Sequence, residues 1–415
     1  MSVDTKAADP VVPIEDPEFY TTDPWPTFAW MRRERPFYYY APLDTFVVTR
    51  QRDIHEITDQ ADVFVNSRGL FLADIKYASQ SGDAGVTNAF FPEGGEQVGT
   101  TDAPRHHDLR RVIMPAFSVA AMEEVQVPVA AQAAALLDGV TPGTPVDWME
   151  LAAQIPITAA CHLIGLPATD HGRVQFWSDE LEKLGGDLTL EQIQAAAAEF
   201  QSLQAYITEQ VELKKSGPVT GKDLLSVLLT AELDGKTVSH ANVVMFAMTA
   251  LAAGGDTSRS MLGGLVHCFA DHPDQWDLLR KDRSLLRNAV EEVLRWVTPA
   301  RAFVRTAIRD VTVGGQAIRE GQHVYLLYMA ANRDEAAFED ADRFDITRED
   351  TAKHMAFGAG PHACAGSRLA RMQGRAVLEA LLDRFSRIEL AGPATPVRGH
   401  LIRNSWTSMP AVFSR

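Results

Sequence analysis

The segment from Phe357 to Gly366 reads Phe-Gly-Ala-Gly-Pro-His-Ala-Cys-Ala-Gly and runs straight into residues 367–385, a stretch of strong helix formers. Three glycines around one cysteine imply a backbone held against something bulky and flat, because side chains at those positions would block the approach. A helix that starts just after Cys364 presents its positive end and free N–H groups to the sulfur. That arrangement lowers a thiol pKa and favours the thiolate, which is a metal-ligating species. On these residues alone, a small buried cysteine in a glycine-rich turn is the alternative.

The rest of the chain has a mostly helical period. Apolar spacing predicts helices at 27–35, 52–59, 107–117, 122–137, 148–163, 190–215, 222–233, 239–270 and 284–297, with Pro299 stopping the last. Aromatic and β-branched runs at 37–40 and 45–49 predict a hairpin, and short strands are expected at 311–313 and 324–327. Residues 70–101, rich in Gly, Asp and Ser, read as a long irregular segment that lines a site or forms a lid. No repeat or linker divides the 415 residues. The expectation is one domain over 1–415, mainly α-helical with small β-sheets near both ends, and a flexible tail at 1–15.

The formal net charge of −16 argues against nucleic acid or an anionic membrane as a partner, since phosphate attraction needs a basic footprint. The spacings of Cys161, Cys268 and Cys364 fit neither a disulfide framework nor a zinc site, so a reducing compartment is expected. The first residues lack the basic and apolar regions of a signal peptide, and the apolar run 243–253 is too short to cross a bilayer. A cytoplasmic protein without a membrane anchor is therefore expected.

Three further places carry chemistry. Inside the apolar helix 239–270 stands Ala253-Gly254-Gly255-Asp256-Thr257-Ser258. Burying its acid and hydroxyls is costly unless they are paired or used, or unless the hydroxyls bond back to the preceding turn. Glu292 and Arg295, three apart, face each other on the helix 284–297. Arg368, Arg371 and Arg375 line one face of the helix after Cys364, either as a solvated face or as a patch that steers an acidic partner.

Residues 357–366 match the pattern F-G-x-G-x-H-x-C-x-G at every fixed position, and on them the chain resembles the cytochrome P-450 family, the haem-thiolate monooxygenases, from residue 15 to 412. The resemblance implies the P-450 fold, with haem b (iron protoporphyrin IX) between the long central helix and the helix that follows the cysteine. It implies Cys364 as axial ligand of the haem iron, with Phe357, Gly358, His362 and Gly366 around the cofactor. Thiolate ligation pushes electron density onto iron and favours O–O cleavage. Asp256 and Thr257 align with the family's acid–threonine pair that relays protons to dioxygen. His106, Arg110, Arg305 and His362 are implied as partners of the haem propionates, and Glu292, Arg295 and Arg343 as a structural network. Thr249, Ala252, Ala253 and Phe303 are expected in the substrate pocket. Dioxygen and a hydrophobic organic substrate are the expected reactants, in a hydroxylation or an oxidative dealkylation. Electrons are expected from NAD(P)H through a ferredoxin reductase and an iron–sulfur ferredoxin docking on Arg368, Arg371 and Arg375. A peroxide-driven peroxygenase and a non-catalytic haem protein are the rival readings; Asp256-Thr257 argues against both.

Overall fold

The computed structural model describes the backbone of residues 10–81, 92–183 and 190–415, with the side chains of 10–76, 92–181 and 197–415. Its axis is the helix His240–Asp271, whose 32 residues span about 48 Å. Ser239 caps its start by accepting a hydrogen bond from the Asn242 N–H. The helix is apolar nearly all round because it is enclosed nearly all round. Helices Trp148–Ile164, Leu286–Val297 and Ser367–Arg384 all pack against it. Glycine permits the closest of these approaches: a Cβ at Gly264 would lie 2.4 Å from Val297 Cγ2.

Sheet structure is confined to one side and to small pieces. The largest sheet has the order Phe37–Tyr40, Thr45–Val48, His323–Leu326, Phe303–Ala307, Phe64–Val65. The first two strands form the expected hairpin. Thr45–Val48 then pairs in parallel with His323–Leu326, which ties the N-terminal hairpin to strands from beyond residue 300. A three-stranded sheet joins Arg387–Leu390, Pro410–Ser414 and Val146–Asp147. Among the described residues, no single helix is long and apolar enough to cross a membrane.

Several expectations are corrected. The supposed tail is anchored at two points: Val12 and Ile14 are buried with Phe28, Met31 and Val47, while Pro10, Val11 and Pro13 are exposed. Residues 1–9 lie outside the described residues. The segment 70–101 is not irregular throughout, because Leu72–Ser81 is helical. Leu72 and Ile75 bury one face of it, and the Asp74 carboxylate accepts the Leu70 and Phe71 N–H groups at its start. Residues 82–91 of that segment, and residues 184–189, lie outside the described residues. The helix expected at 222–233 stops at Thr230, and a hairpin of Glu232–Leu233 with Lys236–Thr237 follows. Asp234 and Gly235 take φ of +57° and +70° in its turn, the backbone that an Asp-Gly pair favours in a two-residue hairpin loop. Helices His171–Lys183 and Pro273–Lys281 and the strand Phe303–Ala307 are further elements of the fold.

Candidate active site

The cysteine loop is a sequence of tight turns. Gly358 and Gly360 both sit at φ of +68°, in the left-handed region that favours glycine. A Cβ on Gly360 would also come within 2.5 Å of the Thr58 carbonyl oxygen. The Cys364 N–H donates to the Phe357 carbonyl at 2.9 Å, and the Gly366 N–H points at the sulfur. Ser367–Arg384 starts directly afterwards. The thiol is not lowered as the helix end suggested. Burial pushes it up, against the Gly366 N–H and the charges of Arg110 and Arg371. Yet Cys364 is exposed by surface area. A sulfur deep in protein mass with an open surface faces an internal space, whereas Cys161 and Cys268 are simply buried in the core, their thiols pushed up by burial.

Beside the loop, four basic or titratable groups from three elements converge. His106 and Arg110 come from the helix Arg105–Ile113, Arg305 from the strand Phe303–Ala307, and His362 from the cysteine loop. The rings of His106 and His362 pack at a tilt of 34° with centroids 3.9 Å apart, and Arg110 Nη2 donates to the Ala363 carbonyl at 2.7 Å. Burial, His106 and the charges of Arg305 and Arg110 push His362 down to about 3, and burial with Arg110 and His107 pushes His106 down to about 4. Both ring nitrogens of His106 are buried and unpartnered. A buried group of hydrogen-bond donors that repel one another, with orphaned ring atoms, fits an anionic ligand. Haem propionates are such a ligand, so His106, Arg110, Arg305 and His362 fit the role the sequence suggested. His106 and His107 form no metal cluster: among the described residues no group of three or more His, Cys, Asp and Glu could hold a metal ion.

On the central helix, Ala253 and Thr257 are exposed although most of the flanking turns are buried. They stand one turn apart on the helix against which the cysteine helix packs. Thr257 Oγ1 donates to the Ala253 carbonyl at 2.9 Å, the back-bond that the composition allowed. Its lone pairs stay available. Asp256 meets Arg403 Nη1 at 2.6 Å, a partner from the C-terminal loop that nothing in the local sequence flagged. Burial pushes the Asp256 carboxyl up to about 7; the Arg259 charge opposes this and Asp179 adds to it. The Arg403 contact favours the ionised form. Ala252 and Thr249 are half-buried, and the Thr249 hydroxyl has no partner among the described residues. Phe303 packs its ring against Phe71 and Tyr328, at 5.7 and 6.0 Å.

The structural network forms with one exchange. Glu292 and Arg295, both fully buried, make a two-point ion pair at 2.7 and 2.8 Å. Arg295 also donates to the carbonyls of Asn332, Ala341 and Arg343. Arg343 therefore contributes its backbone, while its guanidinium turns outward toward Asp345. Arg348 supplies the side chain expected of Arg343, with Nε 3.3 Å from Glu292 Oε1. Glu292→Ala would leave Arg295 buried without its counter-charge, and a loss of about 3–5 kcal/mol is expected in chemical denaturation, with Glu292→Asp milder. The arginine face is revised in the same way. Arg368 is exposed, Arg375 is half-buried, and Arg371 is tied by two hydrogen bonds to Glu291.

Comparison with known proteins agrees with this geometry. The family model described as Cytochrome P-450 matches residues 187–398. The chain is 32% identical to the linalool 8-monooxygenase of Pseudomonas putida, over 94% of this chain and 96% of the relative. It is 35% identical to the 6-deoxyerythronolide B hydroxylase of Saccharopolyspora erythraea, over 72% and 73% of the two chains. A cytochrome P-450 of Novosphingobium aromaticivorans superposes with a TM-score of 0.85 at 26% identity, covering 97% of this chain and 99% of that one. A Bacillus megaterium relative solved with testosterone gives 0.81 at 25% identity, covering 95% and 100%. The chain belongs to the cytochrome P-450 family of haem-thiolate monooxygenases.

Proposed function

We propose that the protein inserts one atom of dioxygen into a small to medium, mostly apolar organic substrate, as a hydroxylase or an oxidative dealkylase. Cys364 is the iron ligand, and a ferredoxin is the immediate electron donor. The observation that carries this reading is the open surface of Cys364 and, on the helix that packs against its own, of Ala253 and Thr257, which would bound a slot for the haem. Haem, when bound there, supplies the activation of dioxygen at the expense of two electrons. The chain's own residues hold and prepare the site. His106, Arg110, Arg305 and His362 bind the propionates; the cysteine loop fixes the sulfur; Asp256 and Thr257 hold protons at the slot. Small residues on the central helix and the ring of Phe303 opposite suit an apolar ligand. A terpene alcohol and a macrolactone, the kinds of molecule named for two relatives, belong in a ligand screen beside a steroid.

The experiment is a titration of the haem-loaded protein with such ligands. A substrate that displaces water from the iron shifts the spin state in the absorption spectrum, and product must then form with NAD(P)H, a ferredoxin and its reductase. Turnover with peroxide alone at the same rate would replace this reading with the peroxygenase one; ligand binding without consumption of reductant would replace it with a carrier. Arg368 and Arg375 are the remaining candidates for the docking face, and Arg368→Glu should slow reduction by ferredoxin and flatten its salt dependence. The cytoplasm, where such donors reside, is the proposed location.

A further inference from the structure

Arg371, expected on the docking face, faces inward to the cysteine loop. Its guanidinium lies over the Phe357 ring, 4.5 Å from the centroid. Its Nε and Nη2 donate to Glu291 Oε1 and Oε2 at 2.7 and 2.9 Å. Glu291 stands next to Glu292 but serves a different partner set, and its carboxylate is also 3.1 Å from His354 Nε2. The protonation of His354 is set by geometry. The Ala356 N–H donates to Nδ1 at 3.1 Å, so Nδ1 is an acceptor and the ring hydrogen is on Nε2, aimed at Glu291. Arg371 and Glu291 are the fixed cation and anion of the cluster. Burial alone would push the Glu291 carboxyl up; His354 and Arg371 instead hold it down to about 2, so it is ionised throughout the working range. Phe357, on whose ring the cation lies, belongs to the cysteine loop, and its carbonyl accepts the Cys364 N–H.

We propose that the Arg371–Glu291 pair sets how readily the haem iron accepts an electron, with Arg371 raising its midpoint potential and Glu291 restraining that effect. This inference rests on Cys364 being the iron ligand. Reduction adds negative charge at the iron–sulfur unit, and a cation close to that unit favours the reduced state. Arg371 lies against the cysteine loop through the Phe357 ring, whereas Glu291 holds the guanidinium from within the helix Leu286–Val297. Arg371 is partly exposed, so solvent screens part of its charge, but the two-point contact with buried Glu291 and the stacking on Phe357 fix its position. Both are positioning residues; neither touches the reacting atoms.

The test is spectroelectrochemistry of the haem-loaded protein and of Arg371→Gln, Arg371→Lys, Glu291→Gln and the Glu291→Gln/Arg371→Gln double variant. Arg371→Gln is expected to lower the ferrous-to-ferric ratio at a fixed potential about tenfold, or about 59 mV for one electron. Glu291→Gln is expected to raise it, the double variant to return close to the parent, and Arg371→Lys to fall between Arg371→Gln and the parent. A merely structural role moves both single variants the same way, through loss of haem or of the thiolate band. Shifts of the same sign, or unmoved potentials with the reduced carbon-monoxide band still red-shifted, overturn the inference. If Arg371→Gln fails to hold haem, Glu291→Gln decides alone, since a potential that does not rise refutes the pair. A parent protein without the thiolate band overturns the reading of Cys364 instead.

Discussion

Replacing Cys364 with Ala is expected to abolish the red-shifted carbon-monoxide band of the reduced protein and to eliminate turnover, while leaving the fold in place. The band reports a thiolate on the iron. Among the described residues Cys364 alone combines a thiol with an open surface beside the cationic cluster; Cys161 and Cys268 are buried, and burial pushes both of their thiols away from the thiolate. The loop does not need the sulfur for its shape. Its turns are held by backbone bonds, from Gly358 N–H to Met355, Ala363 N–H to Gly360 and Cys364 N–H to Phe357, all of which an alanine keeps. The far-ultraviolet circular dichroism of the variant should therefore match the parent. His106 and His362 stand nearby, and propionate contacts should still retain some haem, giving the band of a nitrogen-ligated or unligated haem protein. A red-shifted band that survives in Cys364→Ala would remove the ligand assignment and with it the proposed chemistry.

What the sequence disclosed follows from how local each requirement is. The cysteine loop was legible because its demands are met within ten residues: glycines at positive φ, a cysteine at the end of the turns, a helix directly after. Asp256 and Thr257 stood out because polar groups in an apolar helix are conspicuous. Their partners were another matter. Arg403 reaches Asp256 across 147 positions, and its own surroundings, Ile402-Arg403-Asn404-Ser405, carry no signal. Arg343 and Arg348 are equivalent in a linear reading; which of them faces Glu292 depends on the fold of the turn from Asp340, at φ of +45°, to Asp345. Glu291 was hidden beside Glu292, since a helix turns adjacent residues to different neighbours. Only the packing of 354–357 against that helix shows that the second acid is in use.

Thr257→Ala should leave haem binding and the carbon-monoxide band intact while product per NAD(P)H falls about tenfold or more, the difference appearing as hydrogen peroxide. The side chain donates its hydroxyl hydrogen backward, to Ala253, which turns the oxygen lone pairs toward the slot as acceptors. A water can be held there and pass a proton inward; a methyl group cannot hold it. Thr257→Ser keeps the hydroxyl and should keep most of the coupling, which separates proton handling from shape. Asp256→Asn tests the supply. The carboxyl, raised by burial to about 7 and gripped by Arg403, is close to half-protonated near neutrality, as a group that both takes and gives a proton requires. Asn cannot do this, and a fall in turnover of about 100-fold with an increased solvent isotope effect is expected. The sign of the pH dependence is fixed. As the donor, Asp256 is loaded below about 7, so coupled turnover of the parent should decline as pH rises through that value, and the decline should vanish in Asp256→Asn. The same raised pKa makes ionisation costly in the folded state. Its contribution to stability is thus full below the unfolded carboxyl value of about 3.9 and is lost as pH rises toward 7. Arg403→Gln removes the group that favours the anion, and should move the decline in turnover to higher pH. If the profile of Arg403→Gln coincides with the parent's while Asp256→Asn abolishes the decline, Asp256 holds the proton without help from the C-terminal loop.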